Sequence, residues 1–131
     1  MKTKIEFFKD DFIDAIGAGI YRVTAINSKG ERMPLYIGES VFVLVRCAAH
    51  LYNLKQEPGY FGFDKDTIED EAVTLRFELI ENQSDATRRK SREKELIGKE
   101  HPQLQSGISD RMRSIEEKIT ILTDFLKREA V

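Results

Sequence analysis

Two tyrosines, an arginine, a histidine and a glutamate are the residues whose types and spacing could do chemistry together. Tyr21 closes the tripeptide Gly19-Ile20-Tyr21, and Tyr36 opens Tyr36-Ile37-Gly38 after an intervening segment of fourteen residues, 22–35. On adjacent strands, both phenols can project to one face. Arg46 and His50 are four apart, which puts them on one helical face. A guanidinium is always cationic and forks onto two phosphate oxygens. An imidazole, with an ordinary pKa near ~6.5, can hold or relay a proton. A phenol at its ordinary pKa of ~10 is a poor base at neutral pH unless a nearby cation favours the phenolate. These are groups suited to binding a phosphate ester and moving a proton beside it. Each also has a plainer reading: the phenols as sheet aromatics, Arg46 in a surface ion pair, His50 as a satisfied core residue. Arg46, however, interrupts an otherwise apolar stretch, VFVLVRCAAHL, and a charge there needs a reason.

The elements that must position these groups follow from the pattern. Residues 19–26 (GIYRVTAI) are β-branched and aromatic and read as a strand. Asn27 to Gly30 is a turn, and 34–38 (PLYIG) reads as the returning strand of an antiparallel hairpin. Ser40 is a plausible N-cap for a helix over 41–55, where Val41, Leu44, Cys47, Ala48, Leu51 and Tyr52 form one stripe. The amides at that helix start could accept a phosphate, although Glu39 beside them opposes it. Pro58 and two glycines end the helix. A short acidic helical turn is expected within 65–71, a third strand over 73–80 and a polar helix over 84–100. The last 24 residues read as a separate amphipathic helix. Ile108, Met112, Ile115, Ile119, Leu122 and Leu126 step by 4, 3, 4, 3 and 4, a seam suited to packing on the domain or to dimerisation. The expectation is an α+β fold: a small three-stranded antiparallel sheet flanked by helices, with an extra C-terminal helix.

The two tripeptides and the polar residues after them resemble the GIY-YIG nuclease superfamily. Arg46 lies eight residues past the glycine of the second tripeptide, and His50 four further on. Glu93 stands three before the apolar pair Leu96-Ile97, and Pro102 follows nine after Glu93. The resemblance covers about residues 17–105. It implies a nuclease domain over 1–106, with residues 107–131 as an appended helix, and hydrolysis of DNA phosphodiester bonds. Tyr21 would be the general base and Tyr36 a donor orienting water or phosphate. Glu93 would be the single protein ligand of one Mg²⁺ or Mn²⁺ ion, which keeps several waters and takes further oxygens from the phosphate. Gly19 and Gly38 would permit close backbone approach. Two features depart from the pattern. The segment between the tripeptides is longer than is common, and Gln105 stands where an asparagine usually closes the motif. A longer amide re-aims its hydrogen bonds, so the alternative expectation is a catalytically weakened DNA-binding or protein-interaction module acting through its C-terminal helix.

Composition sets the outer bounds. At 131 residues the chain is one domain by the usual range of roughly 100–200. Hydrophobic residues make up 40% and charged residues 34%, which excludes a disordered tail. No apolar stretch approaches the ~20 residues that span a bilayer. Cys47 is the only cysteine, so no intrachain disulfide forms and a reduced, intracellular (cytoplasmic) setting is expected. The net charge of −2 is unevenly spread: residues 57–81 carry eight acids against Lys65 and Arg76, leaving an excess of +4 elsewhere. Six cations lie within 88–99. Of these, Arg89, Lys90 and Arg92 beside Glu93 are the candidates for tracking a DNA backbone. The expected partners are DNA and, through residues 108–126, a second copy or a partner protein.

Overall fold

The computed structural model describes residues 1–105 and 112–127. It is an α+β fold built on a four-stranded mixed sheet. The strands are β1 (Lys4–Phe7), β2 (Gly19–Ile26), β3 (Arg32–Ser40) and β4 (Thr74–Asn82), in spatial order β1-β4-β2-β3. β2 pairs antiparallel with both β3 and β4, whereas β1 pairs parallel with β4. The expectation of three antiparallel strands therefore misses β1. At four residues, KIEF is too short to stand out, although Ile5 and Phe7 alternate with Lys4 and Glu6. Its pairing with Thr74–Phe77 is made across most of the chain.

β2 lies inside the sheet and is covered on both faces. Tyr21, Val23 and Ala25 point into the larger core, with Leu35 and Tyr36 of β3 and Leu75 and Phe77 of β4. Ile20 and Ile37 point the other way. Helix α1 (Val43–Gln56) and helix α3 (Ile115–Leu126) close the first face through Val43, Cys47 and Leu54 and through Leu122, Phe125 and Leu126. Helix α2 (Ala86–Glu100) closes the second, where Leu96 packs on Ile20 and Ile37. Three layers result.

The extra hairpin length goes into paired strand. β2 and β3 pair from Gly19↔Ser40 to Ile26↔Arg32, with an irregularity between Val23 and Thr24. The turn is only 27–31, held by Asn27, whose side-chain oxygen accepts from the backbone N–H of Lys29 and Glu31. Pro34 is tolerated because β3 is an edge strand. Its edge is partly covered: Gln103 and Leu104 donate to the carbonyls of Pro34 and Leu35.

Two local expectations change, and that of a short acidic helical turn holds. Ser40 is the last residue of β3 and not an N-cap; α1 starts at Val43, whose N–H donates to the Gly17 carbonyl and so does not serve a phosphate. The acidic segment forms one helical turn at Thr67–Glu69, with Asp64 accepting from the N–H groups of Asp66 and Thr67. The C-terminal helix begins at Ile115, capped by Ser114 accepting from Glu117 N–H. Met112 precedes it in an extended bridge to Gln105. Ile108 of the expected seam lies outside the described residues. Leu122 and Leu126 join the domain's own core, so the apolar stripe packs on the domain.

Candidate active site

Tyr21 sits opposite Gly38 across the β2–β3 pair. Its ring lies over that glycine so closely that a Cβ there would collide with the phenol. Gly19 is equally constrained, because a Cβ would meet the Glu81 carbonyl at 2.5 Å. Both glycines therefore make room by lacking a side chain.

Above Gly38 the Tyr21 hydroxyl meets His50 of α1, with Oη 2.7 Å from Nε2. The other ring nitrogen of His50, Nδ1, is 2.8 Å from the hydroxyl of Tyr60. Tyr60 belongs to the helical turn Pro58–Phe61. His50 is fully buried and Tyr21 is 1% exposed, whereas Tyr60 is only partly covered. Tyr36 completes the cage, its ring centroid 6.2 Å from Tyr21 and 5.6 Å from His50. The result is a chain of three groups running from the buried phenol of Tyr21 outward to Tyr60. A neutral imidazole has one donor and one acceptor nitrogen, so the chain has two senses. Either Tyr21 donates to Nε2 and Nδ1–H donates to Tyr60, or Tyr60 donates to Nδ1 and Nε2–H donates to Tyr21.

Arg46, one turn before His50, supplies the positive charge. Burial pushes the Tyr21 phenol well above the usual range, the neighbouring Cys47 and Tyr36 add to this, and Arg46 pulls the other way. Burial works against the Arg46 charge, but Tyr21, Tyr36 and Tyr60 outweigh it and raise its pKa. Arg46 is exposed, and its guanidinium lies close enough to Tyr21 to hydrogen-bond it. His50 is pushed down to about 3, first by burial and then by the charges of Arg46 and Lys118. The imidazole is therefore neutral at physiological pH.

That shift has a consequence for stability. In the unfolded chain His50 titrates near ~6.5, so between that value and about 3 the unfolded state binds the extra proton. His50's contribution to stability is full above ~6.5 and is lost as pH falls toward about 3. The thermal midpoint should therefore fall between about pH 6.5 and about pH 4, and the fall should be shallower in His50→Gln. Circular-dichroism melts of both proteins measure this, and identical slopes would remove His50 as the cause.

Glu93 arrives from the other side of the sheet. Along α2, Arg89 donates from Nε to Glu39 Oε2 at 2.7 Å, Leu96 packs on Ile20 and Ile37, and Arg22 of β2 forks onto Glu100 at 2.8–2.9 Å. Glu93 lies on the same buried stripe between Arg89 and Leu96 and is 7% exposed. The Tyr21 phenol thus lies over Gly38 on the α1 face, whereas Glu93 is carried by α2, which packs on the opposite face. β3 is the sheet edge there, beyond the part covered by Gln103 and Leu104. The structure gathers Tyr21, Tyr36, Arg46 and His50 into one cluster; Glu93 belongs to the layer on the other side of the sheet.

A lone carboxylate oxygen is a hard donor, and it suits Mg²⁺ or Mn²⁺ provided water and substrate oxygens complete the shell. Among the described residues no group of three or more His, Cys, Asp or Glu forms a closed cage. A lone carboxylate of this kind fits a cation that keeps most of its water.

Gln105 holds β3 from its edge. Its amide N–H donates to the Ile37 carbonyl at 2.8 Å, and its side-chain oxygen accepts the Ile37 N–H at 3.0 Å. The extra methylene does not stop it from making both bonds to one residue, Ile37, next to Tyr21's partner Gly38.

The basic run needs correction. Arg89 is 3% exposed, paired with Glu39 and donating to the Gln83 carbonyl, so it cannot reach a DNA backbone. Arg92 is engaged by Glu81 and Glu95. Lys90 is exposed. Tyr60 and Lys118 join the cluster through contacts that the sequence pattern did not reveal; the PGYF turn carries no periodicity, and Lys118 interrupts an apolar helical stripe in the way Arg46 interrupts α1.

No helix among the described residues is long and apolar enough to cross a membrane. No protein-family model, no curated protein and no solved structure matches this chain.

Proposed function

We propose that this chain is a divalent-metal-dependent DNA endonuclease that hydrolyses phosphodiester bonds, as the resemblance of its two tripeptides implies. The observation that carries the reading is the Tyr21–His50 hydrogen bond with the Arg46 guanidinium beside it. A buried aromatic pair needs neither a histidine between phenols nor a cation at its rim; both suit a base acting on a phosphate ester.

In this reading Arg46 grips the substrate phosphate and opposes the burial that otherwise keeps Tyr21 protonated. His50 contributes only in one of its two senses. With Nε2–H donating to Tyr21 Oη, the phenolate gains a second stabilising donor. Tyr21 then takes a proton from a water, whose oxygen forms a bond to phosphorus as the bond to the leaving oxygen breaks. Tyr36 orients the water or a phosphate oxygen. A hard cation on Glu93 supplies charge to the phosphate oxygens and the departing oxygen when bound. Gln105, by fixing Ile37, keeps β3 in register for Gly38 and Tyr36.

The test is a cleavage assay on duplex, branched and single-stranded DNA with Mg²⁺, Mn²⁺ and chelator. Products should form only with the cation, and Arg46→Ala should lower the rate roughly 100-fold, the scale of losing one charge-stabilising donor at the reacting centre. Wild-type protein inert on every substrate, or cutting unaffected by chelator, would overturn the proposal.

The depth of Tyr21 favours one other reading, a DNA-binding module on the same scaffold that no longer cuts. It predicts affinity that falls steeply with salt and no metal-dependent product.

A further inference from the structure

The third member of the chain of hydroxyl and imidazole groups, Tyr60, is held by α3. Lys118 Nζ donates to the Tyr60 backbone carbonyl at 2.8 Å and lies 4.8 Å from the centroid of the Tyr60 ring. Lys118 is 4% exposed. A lysine is rarely this buried without a specific demand, and this one sits in a helix otherwise used for packing. The docking of α3 is itself constructed for close approach: a Cβ on Gly59 would meet Ile115 at 2.6 Å, and Gly62, at φ +86°, lies against the Lys118 carbonyl.

The position has a chemical consequence. A cation over a phenol's face draws electron density from the ring. The phenol becomes a better donor and its oxygen a poorer acceptor. A Tyr60 so biased would donate its proton to His50 Nδ1, and the imidazole would then carry its own proton on Nε2, facing Tyr21. The charged and titratable groups around His50 agree with a neutral ring: Tyr21 from β2, Tyr36 from β3, Arg46 from α1, Tyr60 from the helical turn and Lys118 from α3 include two cations and no carboxylate.

We propose that Lys118 is a positioning residue that acts through Tyr60 to hold His50 in its Nε2–H form, which makes the C-terminal helix a working part of the Tyr21 site. The catalytic meaning of that form rests on the nuclease reading; the tautomer itself does not, and the two can be tested apart.

The chain has two histidines, His50 and His101, so imidazole ¹⁵N spectra of the full-length protein contain only two rings. His101→Asn, tolerable at its φ of 51°, assigns them. Wild-type His50 should show a protonated Nε2 and a bare Nδ1 at neutral pH. Lys118→Met, which keeps the stem and removes the charge, should shift both nitrogens toward a mixture of tautomers. Tyr60→Phe should do the same without touching α3, so a folding defect in one variant leaves the other to decide. Cleavage should fall roughly tenfold in each, short of the ~100-fold or more that losing a general base costs. A wild-type ring protonated on Nδ1, or a Lys118→Met spectrum unchanged at His50, overturns the proposal. If the nitrogens respond as expected while wild-type protein cuts no DNA, Lys118 keeps its positioning role and the nuclease reading fails.

Discussion

Glu93→Gln should abolish DNA cleavage with either Mg²⁺ or Mn²⁺ while leaving the fold intact. Glutamine keeps the volume and one carbonyl oxygen, so α2 retains its packing between Arg89 and Leu96. It loses the negative charge, and with it the only protein ligand the proposal gives to the cation. Metal assistance at a phosphate is worth several kcal/mol, and each 1.36 kcal/mol is tenfold in rate. The expected loss is therefore on the order of 1,000-fold. Glu93→Ala should lose as much activity and also some stability, because α2 is in contact with the sheet there. Rates are to be read beside thermal melts of each variant. Glu93→Gln protein that is folded and cuts at the wild-type rate would show that Glu93 is a buried layer residue and nothing more. Glu39→Gln gives the contrast. Glu39 stands on β3 and is bound by Arg89, so losing it should lower the melting temperature and spare the chemistry.

The sequence carried the central hairpin legibly because β2 and β3 are long and contain the glycines and tyrosines that define them. It carried the spans of α1 and α2 but not their inward faces: of the stripe read on α1, Val41, Ala48 and Tyr52 are exposed, while Val43, Cys47, His50 and Leu54 are buried, and α2 read only as a polar helix. β1 was invisible because four residues give too few alternations, and its pairing partner lies about 70 residues away. The sign of the 88–99 run could be read, but its partners could not. Arg89 and Arg92 are matched by Glu39 and Glu81, on two different strands, and only the folded register brings these together. The seam at the C-terminus was right about which residues face inward, Leu122 and Leu126, and misleading about where the helix begins. Extended Met112 happens to fall on the same spacing. The site divides in the same way. Tyr21, Tyr36, Arg46 and His50 stood out as departures from what a plain core would hold. Tyr60 and Lys118 join them through contacts between segments 58 residues apart, which no local pattern encodes.

Tyr21→Phe should lower cleavage by ~100-fold or more, the scale of a lost general base, and leave DNA binding nearly unchanged. The ring, and therefore the packing over Gly38, is kept; only the hydroxyl goes. Removing it strands His50 Nε2 in a fully buried position, which costs about 1–3 kcal/mol of stability. The imidazole is also released from one of its two constraints, so its tautomer becomes set by Tyr60 alone. These effects separate the two functional readings. If the chain is a nuclease, activity falls far more than the stability loss at the assay temperature accounts for, and the residual rate rises with pH no longer through a phenol. If the chain only binds DNA, Tyr21→Phe changes the melting temperature and nothing else. Tyr36→Phe is the matched control, because it removes a phenol from the same cage without breaking the bond to His50, and its loss should be the smaller of the two. Equal rates in wild type and Tyr21→Phe would take the proton acceptor out of the hairpin altogether. The Tyr21–His50–Tyr60 chain would then be a buried polar network that fixes α1 and the 58–61 turn against the sheet.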